Sequence, residues 1–168
     1  GAYLPKLARC HPSMTLRHLC ANQSGLPDYW CLAMLQGARP ESRFKPEDAA
    51  RLILSDQVCD PANQLHEPGA EFTYSNSNFL ILGWILEALE NSTLAELYQT
   101  RVFNPLNMRQ TFVAESTSDS LPSGTLGYEP RSAGGEAQAR TDLAWAGDAG
   151  IVTTLADLMR WAIRLDDT

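Results

Sequence analysis

The phenol of Tyr74, the hydroxyl of Ser75 and the amide of Asn76 stand directly before a long apolar run in the stretch FTYSNSNFLILGWILEAL. Fixed on one turn above a rigid buried helix, such groups could hold a reacting group in place. The plainer role for the cluster is capping, with Asn76 or Ser77 accepting a hydrogen bond from a backbone N–H that has no partner inside the helix. A second arrangement capable of chemistry is Ser42-Arg43-Phe44-Lys45, a serine and a lysine one helical turn apart, where an amine could take the proton of a nucleophilic hydroxyl. Its surroundings, RPESRFKPED, are polar, and Pro46 pushes Lys45 out of the helical region, so the pair reads as a chance match. No two glycines stand four apart, so there is no Gly-x-Ser-x-Gly elbow, and His66-Glu67 runs into Pro68-Gly69 rather than a second metal ligand.

The elements that must position these residues are mostly helical. Thr15 is placed to cap a short segment, TLRHLC, that runs into the turn residues Asn22, Ser24, Gly25 and Pro27. Pro46, Glu47 and Asp48 open a second helix, proline in the first turn and acids near the positive end, with Ala49, Leu52 and Ile53 as its apolar face. The third begins at the Tyr-Ser-Asn cluster, and Gly83 inside it implies a close backbone approach. Thr93 and Glu96 form a capping box for a fourth that stops before Pro105. A fifth, TLADLMRWAIRL, carries Leu155, Leu158, Met159, Ala162 and Ile163 as an expected buried stripe. The Ser/Gly/Pro-rich region from Ser116 to Gly135 has room only for loops or short strands. No repeat and no dividing linker is visible, so residues 1–168 are expected to form a single domain.

Composition narrows the function classes. Thirteen basic against twenty acidic residues give a net charge of −7, and no basic cluster could track a phosphate backbone, which argues against a nucleic-acid partner. No apolar run reaches the roughly 18 residues of a membrane span, and GAYLPKLARC lacks the features of a signal peptide. Cys10, Cys20, Cys31 and Cys59 contain no Cys-x-x-Cys pair, and His11, His18 and His66 have no zinc-ligand spacing, so neither metal nor cofactor is expected. One or two disulfides are open to the four cysteines. Cys20, in an apolar helical turn, reads as a buried free thiol.

Four blocks in order carry a resemblance. MTLRHLCANQSGLPDYW, PGAEFTYSNSNFLILGWILE, LYQTRVFNPLNMRQTF and AGDAGIVTTLADLMRWAI resemble, in the same sequence, segments of the serine β-lactamase and D,D-peptidase superfamily, of the class C β-lactamase, D-aminopeptidase and esterase type. The second block is similar to its Tyr-Ser-Asn or Tyr-Ala-Asn motif. The resemblance implies that Tyr74 is the tyrosine base and Asn76 the amide that contacts both the substrate and a catalytic lysine. It places Tyr29 and Trp30 along the substrate cleft and Asp148 and Gly150 in a turn close to it. A phenol accepts a proton near neutral pH only beside positive charge. In the family two lysines supply it, one in Ser-x-x-Lys and one in Lys-Thr-Gly. This chain has only Lys6 and Lys45, neither in such a motif.

The resemblance therefore implies a mainly α fold, the helical domain of a class C β-lactamase-like enzyme, with short strands in the 107–145 region. An α/β domain would complete it, and the parent would be a serine hydrolase cleaving a small-molecule or peptide amide, an ester or a β-lactam through an acyl-enzyme. Alone the chain is expected to be silent. The alternative is a non-catalytic binding module on the same scaffold. Family habit points to an extracytoplasmic setting, the bacterial periplasm.

Overall fold

In the computed structural model, which describes residues 3–39, 45–114, 126–131, 134–139 and 147–166, helix starts fall largely where local chemistry puts them. Thr15 caps α2 (Leu16–Cys20) through a capping box, its Oγ1 accepting from the His18 N–H while the His18 ring accepts from the Thr15 N–H. Pro46 opens α4 (Pro46–Ile53), whose Ala49 and Ile53 are buried. Lys45 just before it is extended, with φ −102 and ψ 158. Ser42, Arg43 and Phe44 lie outside the described residues. Thr93 and Glu96 exchange hydrogen bonds at the head of α7 (Leu94–Tyr98), which runs on as a π-helical turn over Gln99–Phe103.

Three further helices carried weaker signals: α1 (Pro5–Cys10), α3 (Tyr29–Leu35) and α5 (Asp56–Cys59). Each is seven residues or fewer, too short for a periodic stripe to stand out. The long α6 (Asn76–Glu90) ends on Asn91 in the left-handed conformation and packs against α2, α3 and α7. Its buried Leu80 and Ile81 join Leu7, Leu19, Ile53 and Val58 in the main core. Gly83 is buried on the same helix. A second, smaller core holds Phe103, Met108 and Val113, with the Tyr98 ring stacked on Phe103 at 5.8 Å between centroids.

Strands are few and short. β1 (Phe112–Val113) pairs antiparallel with β4 (Ile151–Val152), Phe112 opposite Val152, and β2 (Gly127–Pro130) pairs antiparallel with β3 (Glu136–Ala139), Tyr128 opposite Gln138. β4 lies beyond the 107–145 region expected for strands. It follows Gly150, whose φ of +92 turns the chain and whose carbonyl accepts from the Ala114 N–H at 2.7 Å. The fold is thus helix-rich with few short strands.

Two expectations need correction. In α8 (Leu155–Asp166) the apolar stripe is not buried: Leu155, Leu158, Met159 and Ile163 are 76, 44, 51 and 59% exposed. The amphipathic pattern is present, but among the described residues no element covers that face. Cys20 is free but exposed, because α2 turns Leu19 rather than Cys20 into the core. Cys31 is likewise free and exposed, and Cys10 and Cys59 form a disulfide between α1 and α5. No helix among the described residues is long and apolar enough to cross a membrane.

The opposite side of α8 is anchored by charge. Asp157 is fully buried, its Oδ2 accepting from the Gln110 N–H at 2.7 Å and the Thr111 hydroxyl at 2.9 Å, while its Oδ1 pairs with Arg160. Burial alone would raise the carboxyl, but these donors and the guanidinium outweigh it and hold it below its usual 3.8. A depressed carboxylate contributes stability that is present above the unfolded value and lost as pH falls through the folded one. The melting temperature is therefore expected to fall more steeply with acidification below about pH 4 in the parent chain than in Asp157→Asn. Parallel pH–melting curves for the two would remove this role from Asp157.

Candidate functional site

The polar residues at the mouth of α6 divide into two sets by the side they face. Ser77 and Asn78 point inward and hold the loop between α2 and α3. The Ser77 hydroxyl donates to the Pro27 carbonyl at 2.8 Å and accepts from the Tyr29 N–H at 2.9 Å. Asn78, fully buried, accepts from the Ser24 hydroxyl at 2.5 Å and donates from Nδ2 to Asn22 Oδ1 at 2.8 Å. The loop's backbone carbonyls are met from outside α6, the Asn22, Gln23 and Gly25 carbonyls by the Thr73, Gly69 and Leu65 N–H groups and the Ser24 carbonyl by Gln64 Nε2, so its buried polar groups find partners as burial requires. Gly25 in the loop has φ +75, and a Cβ there would lie 2.0 Å from the His66 carbonyl oxygen, so only glycine fits.

Tyr74 and Asn76 form the outward set. Tyr74 is 63% exposed, and its hydroxyl donates to Asn76 Oδ1 at 2.9 Å. Neither Asn76 nor Ser77 caps α6, contrary to expectation. Ser75 occupies the N-cap position without a side-chain cap bond, and the Asn76 N–H goes instead to Asp28 Oδ2 at 2.6 Å. A carboxylate from another element reaches the site first, and Ser77 is already occupied by the loop. Asp28 Oδ2 also accepts from Asn76 Nδ2 at 2.8 Å, while Oδ1 accepts from the Trp30 and Cys31 N–H groups at 2.8 and 3.0 Å and caps α3.

Of the other expected site residues, Tyr29 and Asp148 are brought together. Tyr29 is only 2% exposed and its hydroxyl donates to Asp148 Oδ2 at 2.6 Å, tying the start of α3 to the Gly-Asp-Ala-Gly turn. Gly147 in that turn has φ +133 and rests on α6, where a Cβ would come within 3.2 Å of Leu80 Cα. Trp30 is half-buried against the main core, and Gly150 holds β1 through its carbonyl. Cys31 is the nearest thiol. Partial desolvation, and then the Asp28 carboxylate, push it above its usual 9.0, which disfavours the thiolate a nucleophile needs. Among the described residues no group of three or more His, Cys, Asp or Glu is placed to hold a metal ion.

Asp28 is the residue that sequence reasoning missed. Its signal was local: an aspartate standing immediately before YWCLAML fits an N-cap. Its second role, on a helix 48 residues later, has no sequence signature.

The family profile described as Beta-lactamase matches residues 1–168, and the chain belongs to that family. Among curated relatives, the D-aminopeptidase of Gluconobacter oxydans (strain 621H) is 39% identical over 167 residues, which is 99% of this chain and 30% of the relative. The D-aminopeptidase of Brucella anthropi (strain ATCC 49188) is 38% identical, over 100% of this chain and 31% of the relative. The chain thus spans about 30% of the length of the relatives it matches. Among solved structures, a penicillin-binding protein from Bacillus halodurans superimposes with a TM-score of 0.72 at 25% identity, covering 94% of this chain and 47% of that one. A D-stereospecific amidohydrolase from Streptomyces sp. gives a TM-score of 0.71 at 20% identity, covering 97% and 52%.

Proposed function

We propose that residues 1–168 form the helical domain of a serine hydrolase that cleaves amides of D-amino acids or D-peptides through an acyl-enzyme, with Tyr74 and Asn76 as one wall of its cleft. The observation that carries this reading is the Tyr74–Asn76 pair, hydrogen-bonded at 2.9 Å and presented outward from the head of a buried helix. A hydroxyl and an amide so placed suit proton transfer and substrate positioning. Membership of the family and relatives named D-aminopeptidase at 38–40% identity support this choice of substrate class. Tyr29, with Asp148, acts here by shaping the cleft wall, while Trp30 and Gly150 border it.

The nucleophile and the two lysines would come from segments outside these residues, which makes the chain inactive alone. Two apolar surfaces fit that arrangement. One is the exposed stripe of α8; the other is a groove of about 610 Å³ lined by Leu4, Leu7, Leu16, Leu19, Ile85 and Leu89. Uncovered apolar area on this scale suits burial against a further domain. The Cys10–Cys59 disulfide supports an oxidising setting.

A chimera tests the proposal: residues 1–168 replace the matching segment of the Gluconobacter oxydans D-aminopeptidase. The chimera is expected to hydrolyse a D-alanine p-nitroanilide and the chain alone to leave it intact. Turnover by the chain alone, with a fluorophosphonate adduct on Ser42 that Lys45→Ala abolishes, would overturn it.

A further inference from the structure

We propose that Asp28 is a positioning residue for the Tyr74–Asn76 pair, fixing which end of the Asn76 amide faces the cleft; the consequence for catalysis rests on the function proposed above. The division of labour between its two oxygens carries the inference. Capping α3 uses Oδ1 alone, which takes both the Trp30 and Cys31 N–H groups. A serine hydroxyl would suffice for that. Oδ2 does nothing for α3 and is engaged wholly by Asn76, by its backbone N–H at 2.6 Å and its Nδ2 at 2.8 Å.

A carboxylate only accepts, so the end of the amide that meets it must be the NH2. The carbonyl end is thereby turned to the Tyr74 hydroxyl, which donates to Oδ1. Reversed, the amide would set its oxygen against the carboxylate, two acceptors with no hydrogen between them. The charge on Asp28 therefore orients Asn76, and Asn76 orients Tyr74. Each amide end retains capacity beyond these bonds, one Nδ2 hydrogen and one Oδ1 lone pair. In the locked orientation the first can meet a substrate carbonyl and the second an ammonium group, always from the same sides. The contacts bridge 48 residues of sequence, so the orientation is set by the docking of α3 on α6 and not by the Tyr-Ser-Asn turn itself.

The test separates the cap from the lock. In the ¹⁵N-labelled chain, Asp28→Ser keeps a cap for α3 but cannot reach Asn76, and Asp28→Asn offers only one accepting oxygen. In both variants the Asn76 side-chain hydrogens are expected to exchange with water roughly tenfold faster or more, as a charge-assisted hydrogen bond is lost. The α3 backbone amides of Asp28→Ser should meanwhile stay protected. Unchanged Asn76 exchange in both variants overturns the proposal. So does loss of α3 protection in step with Asn76 in Asp28→Ser, which would make Asp28 a cap and nothing more. In the chimera, Asp28→Ser should lower kcat by about tenfold or more with a smaller change in KM, the pattern of a lost transition-state contact. An inactive parental chimera would count against the functional reading alone, because the exchange measurement decides the lock without it.

Discussion

Tyr74→Phe in the D-aminopeptidase chimera is expected to slow acylation roughly a hundredfold or more, as for loss of a positioned proton-transfer group. The same change should cost the isolated chain about 1 kcal/mol or less, the worth of one modest hydrogen bond. The asymmetry follows from where the residue sits. Tyr74 is 63% exposed, so its ring contributes little core burial, and its hydroxyl bonds only to the Asn76 side chain among the contacts seen. The fold does not depend on that bond, since Asp28 holds Asn76 through separate atoms. Pre-steady-state burst kinetics with a D-amino acid ester would read the acylation step, and denaturant unfolding of the chain would read stability. A loss of several kcal/mol with unchanged acylation would make Tyr74 structural and remove the observation on which the proposed function stands.

The parts of the fold legible in the sequence are those whose causes are local. The Thr15 and Thr93 boxes each satisfy backbone groups within four residues, and Pro46 acts on its immediate neighbour, so residue types at fixed offsets were enough. The run from Asn76 to Glu90 was visible because its length and apolarity leave one reading. What escaped depends on pairing between distant segments. The sequence offered several ways to join four cysteines, and the choice of Cys10 with Cys59 came from α1 lying on α5. The stripe of α8 shows the same boundary from the other side. Its periodicity marks an apolar face, but periodicity does not say whether that face is buried within these 168 residues, and among the described residues it is not.

The candidate site divides along the same line. Tyr74 and Asn76 were found because they are adjacent, and their hydrogen bond spans two residues. Tyr29 and Asp148 were both picked out, yet their bond to each other, across 119 residues, was not foreseeable. The multiplicity of polar groups at the head of α6 has a tertiary cause: Ser77 and Asn78 bind a loop, and Asn76 binds the cap of another helix. A capping argument confined to one helix could not find this. The Asn76 N–H goes to Asp28 rather than to a side chain of its own turn because the aspartate brings a charge.

Opening the Cys10–Cys59 bond is expected to cost roughly 4 kcal/mol, the chain-entropy value for a loop of this length. The bridged residues are 49 apart in sequence. Against a total of about 5–15 kcal/mol for a domain, that loss leaves the reduced chain marginal. The other ties between α1 and α5 cannot replace it. Lys6 and Asp56 meet at 2.8 Å, but the aspartate side chain is 99% exposed, and solvent screens the pair. The buried His11 ring donates from Nε2 to the Val58 carbonyl at 3.0 Å, a bond worth about 1 kcal/mol. The measurement is urea unfolding of the oxidised chain against Cys10→Ser/Cys59→Ser, both carrying Cys20→Ser and Cys31→Ser so that the exposed thiols do not exchange. The expected result is a large fall in midpoint with the α6 amides still the last to open, because α6 draws its core from α2 and α3 as well as α1. A shift equivalent to less than about 1 kcal/mol would mean that the unfolded chain already keeps α1 near α5, and that the bond records their proximity more than it enforces it.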